Sequence, residues 1–285
     1  MRKLEIPSPA KLNLFLEVIN KRSDGYHNIL TVFERINLFD YILIEKAPRG
    51  VEIFSDSREL LLDKSNLAYR AAMLFSRYLK KDLGVKIKIF KNIPLAAGLG
   101  GGSSNAASVI SGINQLYGLG LDKDTLFKWG GEIGSDINFF LSGKSFAIGL
   151  SRGEKILPLN IDKHLWHILI YPGITSYTKD VYNNFRIGLT KKNPDVRILL
   201  DALKHGRLGE VKKHLFNSLE AVVEDKCTAV SFWKRKLQRT GVGASLVSGS
   251  GSSIFGIVNN GKEAEALKKK LGYPGKAKIF IVSTY

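Results

Sequence analysis

Glycine and small polar residues are concentrated in one stretch, 94–107, which reads Pro-Leu-Ala-Ala-Gly-Leu-Gly-Gly-Gly-Ser-Ser-Asn-Ala-Ala. Glycines allow the backbone to approach a ligand closely, and consecutive N–H groups can then donate to anionic oxygens. The apolar residues from Ala106 to Leu116 have helical spacing, so Ser103 or Ser104 is expected to cap a helix. The stretch therefore predicts a phosphate-binding loop at a helix N-terminus.

The segment before this loop predicts a strand, because Val85, Ile87 and Ile89 alternate with lysines. Two common phosphate-binding motifs do not fit. A Walker A loop needs a lysine that is absent between Gly98 and Ala107, and a dinucleotide fingerprint needs a glycine where Ser103 stands. A merely flexible surface loop is the alternative, which the three consecutive glycines and the helix that follows them disfavour.

The composition is that of a globular protein with one large or two medium domains: 285 residues, of which 44% are hydrophobic and 24% charged. No apolar run approaches the roughly 18 residues of a membrane span. Lys11 and Glu17 interrupt the N-terminal candidate for a signal sequence, and the single cysteine, Cys227, excludes an intramolecular disulfide. We expect a cytoplasmic protein without a membrane partner.

The net charge of +17 is compatible with nucleic acid, an anionic membrane surface or small anionic substrates as partners. The basic residues lie in short separated clusters, such as Lys234–Lys236 and Lys268–Lys270, without interleaved aromatic residues. Nucleic-acid binding usually requires a continuous basic patch. We therefore expect a small-molecule ligand and no nucleic acid.

Two segments carry candidate polar site residues. Lys11 and Asn13 share one face of a predicted strand, and Tyr26 and His27 follow a turn at its end. Asp136 lies between a glycine-rich turn and an apolar run, which suits either a helix N-cap or a functional acid or base. Taken singly, Lys11 is also typical of an exposed surface lysine, and Tyr26 and His27 are typical of ordinary loop residues.

The second half of the chain predicts a further α+β unit. An apolar strand, Trp166–Tyr171, ends at a Pro-Gly turn, and a second loop of small residues, Val247–Ser253, precedes a strand, a helix and a final strand. This second loop is expected to lie against the first. The chain is thus expected to contain two α+β domains that meet at glycine-rich loops.

Three segments together resemble the GHMP kinases, which are named after galactokinase, homoserine kinase, mevalonate kinase and phosphomevalonate kinase. They are Pro7–Leu14, Gly98–Ala107 and Val247–Gly256. The resemblance implies an N-terminal α/β nucleotide-binding domain, residues 1–158, and a C-terminal ferredoxin-like α+β domain, residues 159–285. The Asp-Gly-Tyr-His turn at 24–27 and Gly-Ser-Asp at 134–136 are most similar to members that phosphorylate a cytidine-diphosphate-linked methylerythritol.

That similarity implies transfer of the ATP γ-phosphoryl group to a substrate hydroxyl in the non-mevalonate route to isoprenoid precursors, with Mg²⁺ as the metal. Asp136 matches the family's catalytic aspartate, and Lys11 matches the lysine that holds it. The pair suits phosphoryl transfer, which depends on positioning and charge neutralisation.

The resemblance also implies which residues bind each ligand. Asn66 corresponds to a residue near the adenine, and no metal ligand can be assigned, although Ser103 or Ser104 is a candidate hydroxyl ligand and Glu132 lies nearby in sequence. The expected phosphate-binding residues are Pro94, Leu95, Ala96, Ala97, Gly98, Leu99, Gly100, Gly101, Gly102, Ser103 and Ser104. The expected acceptor-binding residues are Asn13, Tyr26, His27, Thr178 and Tyr182.

Three alternatives stay open at this point. Another GHMP kinase, acting on homoserine, mevalonate or a sugar, would share the glycine loop. A non-catalytic nucleotide-binding regulator would keep the loop but lose Lys11 or Asp136, and both are present. A basic nucleic-acid-binding protein would show strongly salt-dependent affinity and no ATP turnover. The sequence does not indicate an oligomeric state.

Overall fold

Two β-sheets organise the chain, which the computed structural model describes over residues 3–186, 195–273 and 275–285. In chain order, the strands are β1 (Lys3–Lys21), β2 (His27–Lys46), β3 (Val51–Ser55), β4 (Val85–Phe90), β5 (Phe146–Ser151), β6 (Lys155–Leu159), β7 (Trp166–Tyr171), β8 (Phe216–Asn217), β9 (Ser245–Val247), β10 (Ile254–Val258) and β11 (Lys278–Ser283). The helices are α1 (Leu67–Leu79), α2 (Gly101–Tyr117), α3 (Lys123–Ile133), α4 (Ile137–Leu141), α5 (Thr178–Asn184), α6 (Val196–His205), α7 (Leu208–Lys213), α8 (Glu220–Lys226), α9 (Thr228–Arg239) and α10 (Gly261–Leu271).

The first sheet is built on the long antiparallel pair β1 and β2. The first half of β2 also pairs with β5 and its second half with β4, so that one strand supports two neighbours. In β4 the alternating Val85, Ile87 and Ile89 are buried while Lys86 and Lys88 face solvent, which confirms the predicted strand. Burial of one face selects this register, because a shift by one residue would place the lysines in the core.

Helices α1 and α2 pack on one face of this sheet. Phe75 of α1 and Ile110 of α2 lie in the same buried cluster as Ile44 and Ile87 of the sheet. Gly112 allows α2 to approach closely, since a Cβ there would lie 2.5 Å from Ile44 Cδ1. Helices α1 and α3 begin directly after Asn66 and Asp122, whose side chains cap them.

The second sheet is antiparallel, with the order β11-β7-β10-β9. Numbered in chain order within the sheet, its strands lie in the order 4-1-3-2. Helices connect the first strand to the second and the third to the fourth, which gives the expected ferredoxin-like arrangement. The strands predicted at 166–171 and 254–258 are confirmed.

The two halves of the chain are joined by contacts that cross between the sheets. Strand β8 pairs with β1 in parallel, although it belongs to the second half. The buried Glu34 of β2 lies 3.0 Å from His167 Nε2 of β7 and accepts a hydrogen bond from Thr284 Oγ1 at 2.6 Å. The domain division at residues 158/159 stays a proposal. Strands before this point in the chain belong to the first sheet and strands after it belong to the second sheet, except β8, which joins the first.

In the part of the chain that the structure describes, no helix is long and apolar enough to cross a membrane.

Replacing Gly112 with Val should lower the free energy of unfolding by about 1–3 kcal/mol, because the added carbons would overlap Ile44 and Ile6 in a packed interface. Gly209, a glycine in α7 with open space around its Cβ position, provides the matched control. Urea denaturation of Gly112→Val and Gly209→Val would measure both changes. Equal stability of the two variants would contradict this packing argument.

Candidate active site

A cavity of about 910 Å³ opens where loops from the two sheets meet. Its walls are formed by β1, the turn at 24–27, the glycine loop, Ser135 and Asp136 before α4, helix α5 and the second small-residue loop. Of the predicted phosphate-binding residues, those from Pro94 to Ser103 line this cavity. All five predicted acceptor-binding residues also line it, as do Lys11 and Asp136.

The glycine loop leads directly into α2, but neither serine caps this helix. Helix α2 begins at Gly101, and its N-cap is Gly100, which has a left-handed φ of 70°. Glycine has no side chain that could cap the helix. The predicted serine cap is therefore wrong, because glycine is needed at the residue that turns the chain into the helix. The first-turn N–H groups of α2 lack side-chain partners and lie at the cavity wall, where they can donate to an anion.

Two predicted nucleotide-binding residues lie outside the cavity lining. Ser104 is fully buried, and its hydroxyl accepts a hydrogen bond from Ser8 at 2.8 Å. The Asn66 side chain caps α1, accepting from Ala68 N and donating to Leu61 O. Only its neighbour Leu67 reaches the cavity. The Asn66 side chain therefore stabilises the start of α1, and the Ser104 hydroxyl is hydrogen-bonded within the core.

The second small-residue loop lies against the first, as expected. Ser248 Oγ donates to Gly98 O at 3.0 Å, and Ser253 N donates to Ala97 O at 3.1 Å. Gly98 has a φ of 76°, and a Cβ on it would lie 2.1 Å from Ser248 O. The approach between the two loops therefore requires glycine at residue 98.

Lys11 and Asp136 form an ion pair at the base of the cavity, with Nζ 3.5 Å from Oδ2. Burial lowers the pKa of the Lys11 ammonium, and the Asp136 carboxylate partly opposes that shift. Asp136 occupies the N-cap position of α4, yet its side chain makes no capping hydrogen bond. The Asp136 side chain therefore does not cap α4, and its carboxylate is free to interact with a ligand in the cavity.

Asn13 holds Lys11 in place. Its Oδ1 accepts from Lys11 Nζ, and its Nδ2 donates to Thr31 Oγ1 at 2.8 Å. The residue is only 1% exposed. Its side chain therefore orients the ammonium from below.

Aromatic residues form another part of the cavity wall. The rings of His27 and Tyr182 lie 5.1 Å apart and are tilted by 33°, and Tyr26 is half exposed with the Arg152 guanidinium over its ring. Burial, and secondly the charge of Asp136, raise the pKa of the Tyr182 phenol, which stays protonated. Burial and nearby Lys21 lower the pKa of His27, which favours a neutral imidazole at neutral pH.

Three basic residues of the cavity were not predicted from the sequence. Lys91 pairs with the buried Asp40, Arg152 lies 3.7 Å from Glu154, and Lys179 has no ion-pair partner among the described residues. Lys91 lies three residues before the start of the glycine loop at Pro94, and this position could have identified it as a residue of the site. Arg152 and Lys179 reach the cavity only through the fold, so no local pattern identifies them.

No group of three or more His, Cys, Asp or Glu side chains that could hold a metal ion occurs among residues 3–186, 195–273 and 275–285. Glu132 lies outside the cavity and bonds to Tyr78 and Arg77. Within the described chain, the carboxylates that line the cavity are Asp24 and Asp136. Any metal here would thus need most of its ligands from a bound molecule and water.

Comparison with known proteins gives two family matches. Residues 66–144 match the GHMP kinases N terminal domain, and residues 199–277 match the GHMP kinases C terminal domain. A 4-diphosphocytidyl-2-C-methyl-D-erythritol kinase from Syntrophomonas wolfei subsp. wolfei is 38% identical over 286 residues, which cover 100% of this chain and 99% of the relative.

Solved structures agree with these matches. A crystal structure of 4-(cytidine 5'-diphospho)-2C-methyl-D-erythritol kinase superposes with a TM-score of 0.82 at 31% identity, covering 99% of this chain and 100% of the other. Homoserine kinase from Cytophaga hutchinsonii has a TM-score of 0.75 at 19% identity, covering 100% and 95%. The second likeness concerns the fold alone.

Replacing Gly98 with Ala should destabilise the protein by about 1–3 kcal/mol, since the residue is left-handed and its Cβ would overlap Ser248 O. Gly102→Ala, four residues further on in the first turn of α2, is the matched control, because its Cβ would meet only Leu67 Cδ1 at 3.6 Å. Thermal unfolding of both variants would compare them. A melting temperature for Gly98→Ala equal to that of Gly102→Ala would show that the loops do not require this contact.

Proposed function

The chain belongs to the GHMP kinases, and from this membership we propose that it transfers the γ-phosphoryl group of ATP to a hydroxyl of 4-diphosphocytidyl-2-C-methyl-D-erythritol. The products are the 2-phosphate and ADP, and the reaction belongs to the methylerythritol phosphate route to isoprenoid precursors. The observation that carries the proposal is one cavity that combines a phosphate-binding helix N-terminus, the Lys11–Asp136 pair and an aromatic rim.

ATP is the phosphoryl donor of this family, and we expect the glycine loop to bind its phosphates. The loop residues from Pro94 to Ser103 line the cavity, and α2 directs its N-terminal N–H groups there. A helix N-terminus carries a partial positive charge that stabilises phosphate oxygens. Leu67 supplies an apolar surface at the same wall, which suits the purine.

Asp136 is proposed as the base that accepts the proton of the attacking hydroxyl. As the new O–P bond forms at the γ-phosphorus, the bond to the β,γ-bridging oxygen breaks and ADP leaves with that electron pair. Lys11, 3.5 Å away, pairs with Asp136 and stabilises negative charge on the attacking oxygen. Asn13 keeps the ammonium oriented throughout.

The aromatic side of the cavity suits the cytidine end of the acceptor. Tyr26, His27 and Tyr182 offer ring faces for a base, and a neutral His27 can both donate and accept hydrogen bonds at a base edge. Arg152 and Lys179 place two cations near this end, where the acceptor carries its diphosphate. Thr178, bonded to Ser250 at 2.9 Å, completes this wall.

Mg²⁺ is proposed as the metal, because it binds through one or two protein oxygens together with substrate phosphates and water. The donor set fits such a site: the Ser103 hydroxyl lines the cavity in the first turn of α2, and the ATP phosphates and water would supply the other ligands. Bound there, the ion would neutralise charge on the transferring phosphoryl group.

Asp136→Asn should lower kcat by about 10²–10⁴-fold with little change in KM for ATP, because it removes the base and leaves the phosphate loop intact. Glu132→Gln is the matched control, since Glu132 lies four residues before Asp136 but outside this cavity, where it bonds to Tyr78 and Arg77. Coupled ADP-release assays with the cytidylated acceptor, homoserine and mevalonate would measure turnover. Turnover of homoserine or mevalonate alone would place the chain elsewhere in the family, and full activity of Asp136→Asn would remove Asp136 as the base.

The activity should fall at alkaline pH below the ordinary lysine value of 10.5, because burial lowers the pKa of Lys11 and only its charged form stabilises the transferring group. The sign follows from deprotonation: raising the pH through the lowered pKa removes the cation. In Lys11→Arg, whose guanidinium stays charged, any residual kcat should lack this alkaline limb. Identical alkaline limbs in the wild type and Lys11→Arg would exclude Lys11 as their origin.

A further inference from the structure

Beneath the glycine loop lies a buried carboxylate that the proposed chemistry does not use. Asp40 of β2 is 0% exposed, and its Oδ1 accepts hydrogen bonds from Asn92 N at 2.8 Å and from Ile93 N at 2.9 Å. Its Oδ2 accepts from Asn105 Nδ2 at 2.9 Å and from Lys91 Nζ. Four donors therefore converge on one side chain that does not line the cavity.

These donors come from both ends of the phosphate loop. Lys91, Asn92 and Ile93 lie where the chain leaves β4, while Asn105 lies in the second turn of α2. Asn105 also donates to Ser8 Oγ at 3.0 Å, and Ser8 donates to Ser104. The carboxylate thus connects the entry and the exit of the segment 94–104 to the same point of the first sheet.

We propose that Asp40 is a positioning residue for nucleotide binding, which sets the spacing between the two ends of the phosphate loop. This inference rests on the proposed function only in taking the loop as the ATP site. The loop's glycines do not define its shape by themselves, since glycine permits many backbone conformations. Fixing both ends at one carboxylate reduces that freedom before ATP arrives, so less ordering is required on binding.

Asp40 also has an electrostatic role in this arrangement. The Lys91 ammonium lies at the start of α2, where its Nζ would be 3.3 Å from a Cβ on Gly101. A cation beside a helix N-terminus is unfavourable, because that end carries partial positive charge. The Asp40 carboxylate neutralises Lys91 and keeps this cation at the cavity wall.

A carboxylate is needed here because all four partners are donors. Asparagine at residue 40 would offer one acceptor oxygen and add two N–H donors of its own. At least one hydrogen of the new amide would then face another donor in a buried site. One or more of the four donors would also lose its acceptor. We therefore expect Asp40→Asn to loosen the loop while keeping the shape of the side chain.

The test compares Asp40→Asn with Glu34→Gln, a matched control on the same strand. Glu34 is equally buried and holds His167 and Thr284, away from the cavity. Calorimetric titration with Mg²⁺–ATP in the absence of acceptor should show at least a 10-fold weaker Kd for Asp40→Asn and less than a 2-fold change for Glu34→Gln. In turnover assays Asp40→Asn should raise KM for ATP, with kcat and the KM for the acceptor changed less than 3-fold.

The outcomes separate positioning from general stability. Equal ATP affinity in the wild type and Asp40→Asn would overturn the proposal, as would equal weakening in Glu34→Gln. If Asp40→Asn does not fold, Asn105→Ala takes its place, since it removes the Asn105 hydrogen bonds to Asp40 and Ser8 and leaves the other three donors to Asp40 unchanged. It should weaken ATP binding at least 3-fold, and unchanged affinity would again overturn the proposal. ATP binding by a wild type that phosphorylates no acceptor would refute the proposed function and leave this test intact.

Discussion

The contact between the two small-residue loops determines where the cavity can exist. Gly98 O accepts the Ser248 hydroxyl hydrogen bond, and the two backbones approach so closely that residue 98 has no room for a Cβ. The phosphate loop belongs to the first half of the chain and its support belongs to the second. A ligand that orders the loop is therefore expected to affect the relative position of the two sheets as well. A separate connection, the Glu34–His167–Thr284 cluster, joins β2 to β7 and to the chain end inside the core, away from the cavity.

Charge in the cavity is arranged in neutralised pairs, although the chain as a whole carries +17. Lys11 pairs with Asp136, Lys91 with Asp40 and Arg152 with Glu154, while Lys179 has no such partner within the described residues. The cavity itself therefore carries little of the net positive charge of the chain. Backbone N–H groups at the start of α2, which carry no counter-charge, are the fixed donors that we propose for phosphate. This arrangement favours orientation of the ligand over non-specific attraction.

Local patterns predicted much of this structure, and contacts distant in sequence account for the rest. The strand at 85–90 and the helix after Asn66 follow from side-chain periodicity and a capping residue, which act over a few positions. The serine cap on α2 failed because the left-handed turn at Gly100 replaces it. Asp40 could not be recognised, since its donor Asn105 lies 65 residues away and only the fold brings the two together. The roles of the predicted site residues stay predictions, although the fold brings most of them to one cavity.

The fold alone does not choose the acceptor, because homoserine kinase shares it at 19% identity. We propose that this choice depends on the turn at 24–27 and on helix α5 with the residues before it, which line the cavity beside the glycine loop. Tyr182 of α5 connects this rim to the chemistry, since the charge of Asp136 contributes to raising the pKa of its phenol. An acceptor that fills the rim would displace water from the neighbourhood of Asp136 and Lys11. Lower local polarity strengthens the interaction of that pair with the reacting oxygens. Recognition of the distal part of the acceptor would then raise the rate at the reacting hydroxyl as well as the affinity, which couples specificity to catalysis in one cavity.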